Sequence, residues 1–289
     1  MYQTIHTVVF EEKPGGGNPA PVTLDADELS TEEMQAMAHR FGEESVFLMK
    51  PTRDDCDVKA RYFVPLHEME MCSHDTIGAV TALVKTGRAA ASPVRLETAL
   101  GQVLVDWEAD GDDVKVSLSQ FLPRVQESAP TAEELCRALN IAPEQLAPLP
   151  VESCATSRFK LIVPLADKET LYALEPDYEY LWSLCDKYQT TGFYPYAKEP
   201  GDDPFLFCAR QFPCRAGYPE DPATGVAASA LSAYLIRHRL IPLTDGWNEI
   251  TVRQGEAMGR PCIIYAACYL ENGAVTATRI SGKARLTSV

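Results

Sequence analysis

Two stretches of this chain are apolar on nearly every side. Residues 76–86 read TIGAVTALVKT, and residues 221–239 read DPATGVAASALSAYLIRHR. Each has the length of a helix. A helix that is hydrophobic all round must be buried all round, so other elements have to surround it. Gly78, Ala79 and Ala82 in the first, and the run of alanines in the second, let those elements pack close. A chain with two such helices is expected to build two enclosures.

The surrounding sequence supplies strands for them. Residues 2–10 (YQTIHTVVF) are rich in β-branched and aromatic side chains, as are 45–49 (SVFLM) and 57–64 (DVKARYFV). VRLETA, QVLVDWEA and DVKVSLSQF follow the first oily helix, with Gly111-Asp112 a hairpin turn between the last two. GGGNP at 15–19 is a turn, and a short apolar run leads from it to Leu24. Ser30-Thr31-Glu32-Glu33 fits a capping box ahead of a helix that carries Met34, Met37, Ala38 and Phe41 and ends at Gly42. Residues 121–130 (FLPRVQESAP) read as a polar linker. Beyond them TAEELCRALN and YEYLWSLCDKYQ read as helices. SRFKLIVPL, GFYPY and FLFCARQFP read as strands, as do EITVRQ, CIIYAACYL and AVTATRISG after the second oily helix.

The halves repeat one order: strands, then Arg-x-Phe (Arg61–Phe63 and Arg210–Phe212), a polar turn, and a buried small-residue helix. Nine residues beyond Phe63 stands Cys72, and nine beyond Phe212 stands Asp221. This self-similarity predicts two related domains, 1–120 and 121–289, of the α+β class. Whether the last strand crosses into the first domain is left open.

Composition excludes several functions. With 41 acidic against 26 basic residues the net charge is −15, which repels phosphate backbones and anionic lipid. No nucleic-acid or membrane partner is expected. The N-terminus lacks a basic region followed by a long apolar run, and no stretch approaches the length of a membrane span. The nine cysteines are odd in number and scattered, with no CxxC pair, which fits free thiols in a cytoplasmic enzyme. Gly15-Gly16-Gly17 is not a phosphate loop, because no Lys-Ser/Thr follows.

Reactive side chains stand immediately before each oily helix. Cys72, Ser73, His74 and Asp75 precede the first, and Asp221 with Thr224 precedes the second. The first turn of a helix carries unpaired N–H groups and partial positive charge, so two such ends can receive a carboxylate. Side chains at the turns can then move a proton on the bound molecule.

These residues resemble those of the phenazine biosynthesis-like (PhzF-like) isomerases, of the diaminopimelate epimerase fold. GNPAPV at 17–22, Glu44-Ser45-Val46-Phe47, RYFVPLHEMEMCSH at 61–74 and YPEDPATGVAAS at 218–229 are similar, in order, to that family's motifs. The resemblance implies an antiparallel sheet or barrel wrapped around a central helix in each half. It also implies a site in the cleft between the halves, no cofactor and no metal, and a homodimer. By matching position, Glu44 would be the principal acid/base, with His74 and Asp221 as proton-relaying partners. Asn18, Cys72, Ser73, Asp75, Thr224, Gly225 and Val226 would contact a small carboxylic or amino acid substrate. The sequence departs from the family's pattern at Ser73, usually glycine, at Asp75, usually small, and at Val226, often serine.

Each assignment has a plainer reading. Asp221 also reads as a helix N-cap with Pro222 at the next position, His74 as a hydrogen-bonding histidine, and Glu44 as an exposed turn residue. Cys72 also resembles the proline racemase form of the motif, in which paired thiols exchange an α-proton. At a helix N-terminus its pKa would be lowered; the plainer reading of Cys72 is a partly buried, inert thiol. The second thiol is missing, because no cysteine lies between Tyr218 and Ala230. An epimerase, racemase or dehydratase using Cys72, and a silent ligand-binding protein, remain the alternatives. A metal held by His67, Glu68, Glu70 and His74 matches no standard ligand spacing.

Overall fold

The structure, a computed structural model, describes residues 2–287. It divides into two compact units, one running to Ser119 and resuming at Ser281, the other Gln120–Ile280.

The first unit contains β1 (Gln3–Val9), β2 (Asn18–Leu24), α1 (Thr31–Phe41), β3 (Ser45–Met49), β4 (Val58–Phe63), β5 (Glu68–Met69) and α2 (Ser73–Lys85). β6 (Val94–Thr98), β7 (Gly101–Asp110) and β8 (Asp113–Gln120) follow. β1 runs antiparallel to β2, β2 parallel to β3, and β3 antiparallel to β4. β4 then runs parallel to β6, and β6–β7–β8 continue antiparallel. The last strand of the chain, β17 (Ala274–Thr287), pairs with both β8 and β1, so the ladder closes into a barrel.

α2 packs on β1, β2 and β3, and every residue from Ser73 to Leu83 is buried. Glycine at 78 permits the approach: a Cβ there would stand 2.5 Å from Thr7 Oγ1 and 3.3 Å from the Ala20 methyl. Thr7 is itself committed, donating to the Ala20 carbonyl at 2.7 Å. Gly78→Ala is therefore expected to lower stability by about 1–3 kcal/mol through overpacking, outweighing the ~1 kcal/mol that alanine gains in helix propensity. Urea denaturation reads the difference directly.

The local signals around α1 hold. Ser30 accepts from the Glu33 N–H while the Glu33 carboxylate accepts from the Ser30 N–H. Met34, Met37 and Ala38 bury against Phe47 and Phe63, and Gly42 ends the helix with φ 69°. Gly111-Asp112 joins β7 to β8 as a two-residue hairpin, with Gly111 at φ 64°.

The second unit contains β9 (Arg124–Gln126), α3 (Ala132–Leu139), β10 (Glu152–Ala155), β11 (Lys160–Pro164), α4 (Lys168–Tyr172), α5 (Tyr178–Tyr188) and β12 (Gly192–Lys198). It continues with β13 (Leu206–Ala209), β14 (Phe212–Pro213), α6 (Gly225–Arg237), β15 (Gly246–Gln254) and β16 (Cys262–Glu271). From β10 the pairings repeat those of the first unit. β10/β11 is antiparallel, β11/β12 parallel, β12/β13 antiparallel, β13/β15 parallel and β15/β16 antiparallel. α6 occupies the place of α2, packs on β10, β11, β15 and β16, and is buried from Ala227 to Ile236. Asn272-Gly273 turns β16 into β17 with both residues at positive φ, 53° and 78°, as a type I′ hairpin requires.

The repeat extends to side chains. Arg61 grips the Glu68 carboxylate through two nitrogens and lies over Phe63, 5.2 Å from the ring centre. Arg210 does the same with Glu220 and Phe212, at 4.9 Å.

Two expectations are corrected. Part of the stretch expected to be a linker is strand β9, antiparallel to β10. Three residues carry too little alternation to read as a strand, and the pairing partner, some thirty positions away, decides. The second oily helix begins at Gly225 with Thr224 as N-cap, so Asp221 is not the cap. Among the described residues, no helix is long and apolar enough to cross a membrane.

Candidate active site

In the first unit, chain geometry brings Glu44, Cys72, His74 and Asp75 together. Gly42 breaks α1 in a left-handed conformation, and the chain turns through Glu43 into β3. Glu44 is thereby delivered to the start of β3, beside the end of β4, where Ser45 pairs with Phe63. From β4 the chain loops through β5 into the first turn of α2. That turn is pinned to the barrel wall. The Tyr62 hydroxyl bonds to Thr76 Oγ1 at 2.8 Å, and Thr76 Oγ1 donates to the Cys72 carbonyl at 2.7 Å.

The Cys72 thiol donates to Glu44 Oε2 at 3.0 Å, and its sulfur lies 3.1 Å from His74 Nδ1. His74 Nδ1 is 3.8 Å from Glu44 Oε2, and His74 Nε2 is 3.4 Å from Asp75 Oδ1. Cys72 and His74 are buried, Asp75 has no exposed surface, and the Glu44 side chain is 19% exposed. Glu44 is therefore the member of the group that solvent reaches most readily.

Burial pushes the Asp75 carboxyl up to about 7, with the Glu44 charge adding and the nearby His74 opposing. Burial also pushes the Cys72 thiol well above its usual value, helped by the charges of Asp75 and Glu44. The lowered thiol pKa expected at a helix N-terminus is thus reversed. The helix end contributes partial charge, but two carboxylates and the loss of water outweigh it.

Ser73 and Asn18 are also in this unit and buried, Ser73 in the first turn of α2 and Asn18 opposite Val9 at the start of β2. Glu68 is engaged by Arg61. His67, Glu68 and Glu70 do not join His74 in a donor cluster. The donor atoms that converge with the imidazole are those of Glu44, Cys72 and Asp75, and these are the side chains that could hold a metal ion.

Asp221, Thr224, Gly225 and Val226 lie in the second unit. Asp221 is held in extended backbone rather than helix. Its N–H donates to the Gln211 carbonyl at 3.1 Å, and its carbonyl accepts from Gln254 Nε2 at 2.7 Å. The Thr224 hydroxyl donates to Asp221 Oδ2. Gln254 Oε1 accepts from the Tyr194 hydroxyl at 3.0 Å and from the Thr224 N–H at 3.3 Å. Gly255, at φ 79°, lets the chain pass within reach of the Pro222 carbonyl, where a Cβ would stand 2.8 Å away. Gln254 and Tyr194 therefore support Asp221. No sequence signal marked them, because they come from strands remote in the chain. Neither helix N-cap, Cys72 or Thr224, closes its first turn with a side-chain bond. None of the nine cysteines forms a disulfide.

The chain matches the family described as phenazine biosynthesis-like protein over residues 8–288. It is 30% identical over 286 residues to an uncharacterized isomerase, YddE, of Escherichia coli K12, covering 98% of this chain and 95% of that one. It is 31% identical over 293 residues to the trans-2,3-dihydro-3-hydroxyanthranilate isomerase of Pseudomonas aeruginosa, covering 98% and 96%. A PhzF-family phenazine biosynthesis protein of Bacillus anthracis superposes with a TM-score of 0.90 at 26% identity, covering 100% of this chain and 98% of that one. A probable proline racemase from Agrobacterium radiobacter shares the fold, with a TM-score of 0.62 at 13% identity and coverage of 100% and 93%. The diaminopimelate epimerase-like α+β architecture, with a closed barrel around α2 and a like-ordered strand layer around α6, agrees with both structures. The chain belongs to the phenazine biosynthesis-like protein family, a family of isomerases.

Proposed function

We propose that this protein isomerises a small carboxylic or amino acid by moving a proton between carbons, with Glu44 as the acid/base and no cofactor. The observation that carries the reading is the convergence of the Glu44 carboxylate, the Cys72 thiol and the His74 imidazole at the N-terminus of α2. A general base must be reachable by substrate and able to hand its proton on. Glu44 is the most exposed member, and the thiol and imidazole form a hydrogen-bonded path behind it. Glu44 takes a proton from one carbon and returns it to another, so the substrate's composition is unchanged. Asp221, carried over from the family motif, is the second proton-handling carboxylate. The uncapped first turn of α2 suits a substrate carboxylate.

The contact of Cys72 with both Glu44 and His74 favours one second reading, in which the thiol carries the proton and the reaction is an epimerisation or dehydration. Its raised pKa and the absence of a cysteine between residues 218 and 230 weigh against it.

The test is a panel of amino, hydroxy and unsaturated cyclic acids incubated in deuterated buffer and read by mass shift and NMR. The panel includes trans-2,3-dihydro-3-hydroxyanthranilate, the compound in the name of the Pseudomonas aeruginosa relative. Migration of a double bond with deuterium at the new carbon is the expected result. Exchange confined to an α-carbon with loss of chirality favours the thiol reading. A panel with no exchange at all points to a binding protein and removes the proposal.

A further inference from the structure

Glu44, Cys72 and His74 present one oxygen, one sulfur and one nitrogen to a common point. The three atoms are separated by 3.0, 3.1 and 3.8 Å. A tetrahedral ion with bonds of about 2.0 Å to oxygen and nitrogen and about 2.3 Å to sulfur needs donor separations of roughly 3.3–3.6 Å. Shifts of about half an ångström, within rotamer adjustment, bring the set to that geometry. Thiolate, imidazole and carboxylate together select borderline-soft divalent ions over magnesium or calcium.

A second observation points the same way. Asp75 is completely enclosed, and neither of its carboxylate oxygens makes a hydrogen bond of ordinary geometry. Its Oδ1 lies 3.4 Å from His74 Nε2, the imidazole nitrogen facing away from the thiol. A carboxylate on the far nitrogen of a histidine is the usual outer partner in metal sites, where it fixes the ring and raises its basicity. Two carboxylates and a thiol around one buried imidazole also leave an excess of acid that a dication would neutralise.

We propose that Glu44, Cys72 and His74 form a binding site for a divalent cation of the zinc class, with Asp75 as the outer partner of His74. On binding, the Cys72 S–H bond breaks, its proton leaves to solvent, and a sulfur–metal bond forms. Three protein ligands leave a fourth position open. Occupation takes the Glu44 carboxylate out of proton transfer, so zinc inhibits the enzyme. This consequence rests on the acid/base reading above, whereas the site itself does not.

A second donor cluster, Glu199, Cys208 and Glu256, serves as an internal control. There Lys168 Nζ is 2.7 Å from Glu199 and 3.6 Å from Glu256, and Arg253 is 3.5 Å from Glu199. That place already holds cations, so no metal is expected in it.

The test is titration of the chelator-treated full-length protein with Co²⁺. A sulfur-to-cobalt charge-transfer band with visible bands of tetrahedral intensity should saturate at one equivalent, and Zn²⁺ should bleach them. Cys72→Ser should abolish the charge-transfer band, while Cys208→Ser leaves it unchanged. Asp75→Asn should keep the band but weaken affinity about 10–100-fold. Circular dichroism confirms that each variant is folded. Absence of the band in the wild-type protein, or its survival in folded Cys72→Ser, overturns the site. If the band forms and turnover continues unchanged, the site stands and the assignment of Glu44 as the base fails instead.

Discussion

Glu44→Gln is expected to reduce turnover by about 10²–10⁴-fold, the usual contribution of a positioned general acid/base, on whichever acid the exchange panel identifies. Glutamine keeps the shape of the side chain and can still accept from the Cys72 thiol through its amide oxygen, but near neutral pH it has no site that takes a proton. The fold should not notice the change. Glu44 lies between α1 and β3 with its side chain 19% exposed, and neither element's core contacts depend on it. The thermal midpoint should therefore stay within a few degrees of the wild type, which separates loss of chemistry from loss of structure. A Glu44→Gln protein that turns over at the wild-type rate would falsify the role assigned to this residue. A variant that exchanges deuterium slowly while still binding substrate would confirm it.

The second large effect is on stability and belongs to Asp75. Its carboxyl is raised to about 7 by burial, against about 3.9 in an unfolded chain. Below pH 4 it is protonated in both states and costs nothing by linkage. Between pH 4 and 7 the unfolded chain loses the proton and the folded chain keeps it, so stability falls as pH rises. Above pH 7 the full penalty applies, of order 4 kcal/mol for a carboxyl raised by about three pH units. Asparagine cannot ionise. Asp75→Asn should therefore gain on the wild type by about 2–4 kcal/mol between pH 4.5 and pH 8 (approximate working limits set by the same linkage). The groups facing Asp75 are His74, Glu44, Glu43, Cys72 and Tyr62, so the gain is read on the metal-free protein, where these groups set the field. Guanidinium unfolding of both proteins at the two pH values decides it. A difference that does not change with pH means that the buried carboxyl titrates normally.

Much of the architecture was legible because its signals are local. Two helices without a polar face demanded two enclosures, and α2 and α6 are each the buried axis of a strand layer. The capping box at Ser30 and the turn at Gly111 are written in three or four consecutive residues, and both formed as read. What failed needed distant partners. Asp221 has every local attribute of an N-cap, yet its bonds to Gln211 and Gln254 hold it extended and delay the helix to Gly225. β9 is strand only because β10 lies beside it. Tyr194 and Gln254 carry no motif and gain their role by position alone.

By itself, the order of the chain determined the family, the duplicated α+β plan and the residue types at the head of each oily helix. These follow from periodicity and short motifs, which survive without knowledge of contacts. Only the tertiary structure decided how the group at Cys72 behaves. Sequence reasoning leaves that thiol two descriptions, the acidity of a helix end or a partly buried, inert place. Folding placed it out of water between Glu44 and His74, with Asp75 enclosed behind the imidazole. Acidity depends on distance and solvent rather than on neighbours in sequence. Motifs put Glu44, Cys72 and His74 on one list of site residues, and only folding set their distances and their exposure.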